Sequence, residues 1–542
     1  MNGLQTYRRN AIIITTQSQE IGAVAGMATS STISARMLNQ IGYGTSVLSY
    51  INHDQLTALK DNIVEEQEPL VIQDPFEPAR AFSVRVFRLQ FGSNQGIDYI
   101  GLHNDEALDT PPKHPLRYYN LRLSEAIASY LSRKIAKTPS ELTDASPQQR
   151  DLVMAMNSPT AINVSRLSKI AQNQFRILYR NGSILMPFID GSHLPDSMLP
   201  PGNIDGININ ECAYRDADAI ICGPGMGALY GDPGSYDPRI PDQVYKPIRE
   251  MFLMRQRGGN VIQLHQPVMS DFDPRSSAAL RGQPWTQLRS FSIDDFRAFK
   301  MKNKLALQAR YGLHEDSSKI LLTSINRVDN YQKCSFAVLE SAFRVLEDNP
   351  ETQLILVGNS AYVSDSERES YSKRAEELSS TFPMRVTIVG NHLDHADIAK
   401  LLSGSDYHLF LSIAEVFANA LNEGCSLGSI PIVSQTPPLE QVCSQLGFGH
   451  IIPISTFDPR SYVALSARHY VNNNGFHSGS ETLKDTETSL AELVTSFIRE
   501  DARGDLNIRL ETQRNISMRS QELFSIDAIS EQLGEFLVNR FM

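Results

Sequence analysis

The sequence predicts an α/β protein built from two doubly wound, Rossmann-like units. Three observations carry this expectation. The chain opens on a strand–helix–strand pattern, a second and more regular alternation begins near residue 319, and a polar crossing rich in Pro, Ser and Asp lies between them, at about 266–300. A length of 542 residues favours two or more domains, and 41% hydrophobic content is enough to fill large cores.

The opening strand is "AIIITT" (11–16), a buried apolar run, followed by a Gly- and Ala-rich turn holding Gly22 and Gly26, a helix over Thr32 to Gln40, and the strand "TSVLSYI" (45–51). A strand, a crossover helix and a second strand predict a parallel sheet. Further strands are expected near Ser83 to Leu89, at "DYIGL", "SILMPFI" (183–189), "AIICG" (219–223) and "NVIQL" (260–264). Between Asp105 and Asn173 the pattern is mainly helical, with a polar interruption near Thr138 to Gln149, and reads as an elaboration of the first unit. From Ile320 onward the order is "KILLTSI", helix 333–347, "QLILVG", helix 365–380, "RVTIVG", helix 394–403, "YHLFLS", helix 416–427 and "PIVS". Five such strands with intervening helices make the second unit, and in folds of this kind ligands bind at the carboxyl ends of the strands. Two units in one chain predict a cleft that both sheets can face.

Composition narrows the function classes. A formal charge of −11 argues against a broad polyanion-binding surface, so nucleic acid is not an expected partner, while a local basic pocket for a diphosphate stays possible. Cys212, Cys222, Cys334, Cys425 and Cys443 are odd in number and form no C-x-x-C pair, which fits reduced thiols. The apolar run Ala11 to Ile14 is too short for a signal-peptide core, and no segment approaches the ~18 apolar residues of a membrane span. A cytoplasmic protein is the expectation.

The stretch "AEVFANALNEGCSLGSIPIVS" (414–434) places Glu415 and Glu423 eight positions apart. On a helix that spacing corresponds to about 12 Å of rise and about 80° of rotation, so the two carboxylates would touch different parts of one long ligand. Residues 416–419 would offer free amides to phosphate oxygens at the helix start. A glutamate there also suits the helix dipole, and pairs at this spacing arise by chance in many helices. Upstream, "NRVDNYQK" sets Arg327 and Lys333 at the carboxyl end of the first strand of the same unit, where cations would meet a diphosphate rather than serve only as solvated loop charges. Together these groups suit a nucleoside diphosphate joined to a polyol.

The residues 318–450 resemble the retaining glycosyltransferases of the two-domain GT-B fold, especially the large family 4, with some likeness to glycogen and starch synthases. "INRVDNYQK" resembles the family's R-x(4)-K stretch, "QLILVGNS" its next strand and glycine turn, and "VTIVGNHLDHADIAKLLSGSDYHLFLS" the strand that leads to the base pocket. "SIAEVFANALNEGCSLGSIPIVS" resembles its E-x7-E signature. The resemblance implies an acceptor-side domain over 1–285 with the elaboration at about 105–175, a donor domain over 286–525, and a terminal helix over 526–542 that folds back on the first domain. It also implies retaining transfer of a sugar from a nucleotide sugar, with no metal and no cofactor beyond that co-substrate, to an acceptor that is a carbohydrate, small molecule, lipid or protein. Arg327 and Lys333 would hold the diphosphate, Glu415 the transferred sugar and Glu423 the ribose. Phe417, Ala418 and Asn419 would present amides, while Asn391 and His392 would flank the base. Gly26, in the first glycine-rich loop, would approach the donor phosphates or acceptor, and His193, after "SILMPFI", would bond the reacting sugar; a tight turn and a surface histidine are the plainer readings of these two.

Three positions depart from the family pattern. The Arg327-to-Lys333 interval is one residue longer, Ala418 stands where glycine is common, and "TPPLEQV" (436–442) replaces a Gly-Gly loop. Rival readings are a GT-B relative that couples, epimerises or phosphorolyses, and a nucleotide-sugar-binding scaffold without turnover. Asp271 and Asp273 in "DFD" imitate a metal-binding D-x-D, but an acidic turn before Pro274 is the simpler reading. His103, Asp105 and Glu106 lack a fourth ligand at metal spacing, and "GPGMG" (223–227) lacks the P-loop lysine.

Overall fold

The structure, a computed structural model, describes residues 9–15, 26–74, 79–90, 96–104, 116–136, 150–156, 163–165, 167–168, 175–181, 188–189, 207–224, 242–280, 292–328, 333–359, 365–391, 393–412, 415–453, 490–500 and 506–541. The chain forms two compact units. The first comprises Met1–Gly231, Arg239–His265 and Ile526–Met542, and the second Asp232–Pro238 and Gln266–Ser525.

The first unit contains β1 (Asn10–Ile14), α1 (Gly26–Gln40), β2 (Gly44–Tyr50), α2 (His53–Ala58), β3 (Ile63–Glu65), β4 (Leu70–Gln73), β5 (Ala81–Leu89) and β6 (Ile97–His103). It continues through α3 (Leu116–Ala136), β7 (Asp151–Met156), β8 (Phe175–Asn181), β9 (Phe188–Ile189), β10 (Ile207–Asn208), α4 (Ile209–Asp216), β11 (Ala219–Cys222), α5 (Asp242–Arg257) and β12 (Val261–Gln263). The main sheet runs β12-β11-β8-β7-β1-β2-β6-β5-β3, with β4 also on β5. From β12 to β6 every pairing is parallel; β5 joins β6 antiparallel, and β3 and β4 join β5 the same way. Sequence pattern follows this division. Ala11 to Ile14 are all buried because helices cover both faces of a parallel strand, whereas Phe82 and Val84 alternate with exposed Ala81, Ser83 and Arg85 on an antiparallel edge.

Among its described residues the 105–173 segment is mainly helical, chiefly through α3, but it also holds a strand that the pattern does not announce. "DLVMAM" forms β7, which pairs with β1 at the centre of the sheet, and β8 ends at Asn181, before the expected "SILMPFI" strand, of which only Phe188–Ile189 is described. A six-residue apolar run fits a buried helix and a buried strand equally well, and only the pairing decides between them.

The second unit contains α6 (Ile293–Arg310), β13 (Ile320–Arg327), α7 (Ser335–Asp348), β14 (Thr352–Asn359), α8 (Asp365–Thr381), β15 (Val386–Val389) and α9 (His395–Gly404). After these come β16 (Tyr407–Phe410), α10 (Asn419–Ser426), β17 (Ile430–Ser434), α11 (Pro437–Leu446), β18 (His450–Ile452) and α12 (Leu506–Phe524). Six parallel strands run β15-β14-β13-β16-β17-β18, one strand more than the sequence pattern suggests. The division between units falls at His265/Gln266 rather than 285/286, because the crossing segment is tied into the second unit. Val268 donates its N–H to the Phe524 carbonyl, and the Ser426 hydroxyl donates to the Phe272 carbonyl at 2.6 Å. The chain then returns to the first unit as α13 (Ile526–Phe541), where Asp527 bonds Gln40 of α1 and the Arg176 guanidinium lies 5.3 Å from the Phe541 ring centre.

One buried ionic cluster organises the second unit. Asp406, entering β16, accepts the Leu321 N–H at 2.8 Å and pairs with Lys304 of α6 at 2.6 Å, while Gln513 of α12 donates to its carbonyl. Burial works against the Asp406 charge, but Lys304 and Arg509 outweigh it and hold the carboxyl below its ordinary range. Lys300 donates to the Ser405 carbonyl at 2.6 Å, and burial pulls its ammonium down to about 7. Two helices are thereby anchored to the amino end of one central strand.

Candidate functional site

Numbered from β13, the second sheet has the order 3-2-1-4-5-6, so the direction of winding reverses between β13 and β16. Where the winding of an open α/β sheet reverses, a crevice lies outside the carboxyl ends of the two central strands, the usual ligand position. Arg327 is the last residue of β13, and its carbonyl accepts the Ser335 hydroxyl at 3.2 Å. Lys333, six residues further along the chain than Arg327, forms an ion pair with Glu415, which follows β16; both side chains are about seven-eighths buried. The Lys333 ammonium also lies 5.0 Å from the Phe410 ring centre, a cation–π contact that fixes its direction.

Both helices that start at this crevice begin in an unusual way. Their caps, Cys334 before α7 and Ala418 before α10, adopt left-handed backbone with φ 50° and 51°, and neither side chain makes a capping hydrogen bond. These are two of three such non-glycine residues among the described ones, the third being Met384. Left-handed backbone strains an L-residue, and such strain gathers at functional sites. The first amides of α10 thus lack the usual Ser, Thr or Asp cap.

Ala418 also corrects the expected helix. α10 starts at Asn419 rather than 416, so Glu415 lies before the helix and turns toward Lys333, while Glu423 sits in its second turn. Phe417 and Ala418 are buried, and the Asn419 Oδ1 finds no hydrogen-bond partner among the described residues. Glu423 is partly buried. Burial pushes its carboxyl up to about 8, with Asp271 adding to the rise and His395 opposing it.

Other residues shape the crevice without a motif to announce them. The Ser434 hydroxyl at the end of β17 accepts the Ser412 N–H at 3.1 Å and donates to the Ser412 carbonyl at 2.5 Å, clamping the backbone that leads to Glu415. Gly358 lets Val328, just past the end of β13, lie close against β14, since a Cβ there would stand 2.9 Å from the Val328 methyl. Pro437 and Pro438 open α11, so that helix start lacks the donors a Gly-Gly loop would present.

Arg327, Lys333, Glu415, Phe417, Ala418, Asn419 and Glu423 therefore share the carboxyl side of one sheet. Asn391 is exposed just beyond β15, two strands from β13. Gly26 is the first residue of α1 in the first unit. His193 and His392 lie outside the described residues. The "DFD" stretch forms a turn in which Asp273 pairs with Arg275 at 2.7 Å and Asp271 meets His395 at 3.4 Å. Among the described residues no group of three or more His, Cys, Asp and Glu side chains is arranged to hold a metal, and no helix is long and apolar enough to cross a membrane.

Residues 309–466 match the family model for glycosyl transferases group 1. Across 98% of this chain and 99% of the other, the structure superposes with TM-score 0.70 and 13% identity on the catalytic domain of starch synthase IV from Arabidopsis thaliana, bound to ADP and acarbose. The fold is GT-B. It comprises two Rossmann-like units, and the segment that matches the group 1 model spans the crevice residues just described. No curated protein matches significantly in sequence.

Proposed function

We propose that the protein is a retaining glycosyltransferase that moves a sugar from a nucleoside diphosphate sugar to an acceptor hydroxyl. The observation that carries this reading is the Lys333–Glu415 pair spanning the β13/β16 crevice beside the open start of α10. The matching family and the starch synthase structure with bound ADP support the same donor chemistry.

A donor diphosphate is a stronger partner for Lys333 than one carboxylate. It takes over the ammonium, with Arg327 and the amides of residues 417–419 as further donors. Glu415 then accepts hydrogen bonds from hydroxyls of the transferred sugar, and Glu423 from the ribose. As the bond between the anomeric carbon and the phosphate oxygen breaks, negative charge grows on the diphosphate where these fixed donors already point. The acceptor oxygen bonds the anomeric carbon on the same face, and its proton passes to the departing phosphate oxygen, so configuration is retained. Roles for Asn391, His392, Gly26 and His193 toward base, phosphates and reacting sugar complete the reading by resemblance.

A thermal-shift screen against UDP, GDP, ADP and their sugar conjugates tests the donor site, since a ligand bound only by the folded chain raises apparent stability. One nucleotide should raise the melting temperature, and Glu423→Ala should remove the shift. Acceptor-dependent release of nucleoside diphosphate with a new glycosidic product then establishes transfer. Binding without turnover over a broad acceptor panel would instead favour a nucleotide-sugar-binding scaffold.

A further inference from the structure

The Asp271–Asp273 turn lies directly against α10. The Ser426 hydroxyl donates to the Phe272 carbonyl at 2.6 Å, and the Asn422 amide donates to the Gln266 carbonyl at 3.3 Å. Positions 422 and 426 are one helical turn apart, and 423 lies one turn before 426, so Glu423 borders the face that the crossing segment covers. Asp273 is engaged with Arg275, but Asp271 points the other way and meets the imidazole of His395, the first residue of α9, at 3.4 Å. The His395 ring is seated 5.6 Å from the Phe272 ring, and α9 packs on α10.

Charged groups around Glu423 come from two sides among the described residues, His395 on α9 and Asp271 on the turn, while His395 also faces its own helix cap, Asp394. The other elements against α10 are α12, β16 and β17: α12 meets Asn422 and Ser426 through the neutral side chains of Ser517, Ser520 and Gln521, and His408 of β16, which sits against Gly424, is kept neutral by burial, which pulls it down to about 4. His395 is thus the cation that Glu423 faces.

We propose that Asp271 and His395 are positioning residues for Glu423, with Asp271 holding the His395 imidazolium where it attracts the Glu423 carboxylate that accepts the ribose hydroxyls of the donor. This rests on the reading of α10 as the donor helix. Two vicinal hydroxyls are donors, and a carboxylate offers them two full acceptors where a neutral acid keeps one oxygen as a hydroxyl. Donating its Nδ1–H to Asp271 raises the His395 affinity for its proton, and His395 in turn opposes the upward push of burial on Glu423.

Affinity for ADP, UDP and GDP is measured between pH 7 and 9, where the terminal phosphate is already ionised, with wild type, His395→Gln and Glu423→Gln. Wild-type affinity for the bound nucleotide should rise with pH as Glu423 ionises. In His395→Gln the rise should move upward by about one pH unit, which is about tenfold weaker binding below both midpoints. In Glu423→Gln the rise should vanish. NMR titration of His395 supplies a second reading: its midpoint should fall in Asp271→Asn, where the hydrogen bond is weakened, and in Glu423→Gln, where the opposite charge is gone. Nucleotide binding with identical pH profiles in wild type and His395→Gln overturns the dyad and leaves the donor site standing. Failure of every nucleotide to bind wild type overturns both.

Discussion

The two ends of β16 hold charged clusters of similar burial and opposite character. At the amino end, Asp406 is surrounded by Lys304, the Leu321 amide and Gln513, with Arg509 4.0 Å away. At the carboxyl end, Lys333 and Glu415 pair across a loop crevice beside two helix starts whose caps are strained and make no capping bond. Burial of charge therefore does not by itself mark a site. The amino-end carboxylate is ionised and its cations come from the scaffold helices, so the cluster fixes α6 and α12. The carboxyl end retains a strained backbone and a carboxyl, Glu423, that burial disfavours in its charged form.

If this contrast is right, the amino-end cluster fails as structure. Asp406→Asn removes the carboxylate paired with Lys304 at 2.6 Å and leaves that buried cation without its ion-pair partner, which costs about 3–5 kcal/mol. Chemical denaturation of the variant should show that loss while nucleotide affinity of the remaining folded protein is unchanged. A cost below about 1 kcal/mol would mean that the cluster is not what secures β16.

The carboxyl end should fail as function instead. Lys333→Ala removes a donor aimed at the charge that develops on the leaving diphosphate, an effect of about 10²–10³-fold in turnover. Its melting temperature should fall far less than that of Asp406→Asn, because Glu415 lies at a loop crevice that water can reach. Turnover at the wild-type rate would remove Lys333 from the mechanism.

Glu423 separates the two ends by the sign of a pH effect. Its folded carboxyl titrates near 8 against an ordinary 4.5, so between those values the folded chain keeps a proton that the unfolded chain releases. Stability from this group is complete below the ordinary value and is lost as pH rises toward 8. Glu423→Gln abolishes that dependence. The variant should match wild type in melting temperature near pH 4.5 and exceed it increasingly up to about pH 8, with the difference levelling off above it; a constant difference would show that Glu423 is charged throughout.

Much of the second unit is legible in sequence because parallel strands buried on both faces leave continuous apolar runs such as "ILLTSI" and "LILV". The same property hides β7, whose six residues carry no period to separate strand from helix. The positions of Glu415 and Glu423 stand in the E-x7-E spacing, but the helix start does not, since nothing local announces left-handed backbone at an alanine. Pairings such as Lys333 with Glu415, 82 residues apart, and His395 with Asp271, 124 apart, depend on strand order and on the path of the crossing segment. The "DFD" turn illustrates this most plainly: its composition suggests a metal, whereas its neighbours give its two carboxylates separate basic partners.

Ala418 carries the smallest expected effect and the finest test of the comparison. Glycine at this position would relieve about 1–2 kcal/mol of left-handed strain. It would also forfeit about 0.5–1 kcal/mol in backbone entropy and about 0.8 kcal/mol from one buried methyl, Ala418 being 1% exposed. These contributions nearly cancel, so Ala418→Gly should change unfolding free energy by less than about 1 kcal/mol in either direction. Nucleotide affinity is the more telling reading. If the open amides of α10 owe their direction to this one backbone angle, glycine, which reaches the same φ without strain but is not confined to it, should weaken binding slightly while leaving stability alone. A clear gain in both would show that the alanine methyl contributes nothing to holding the crevice in shape.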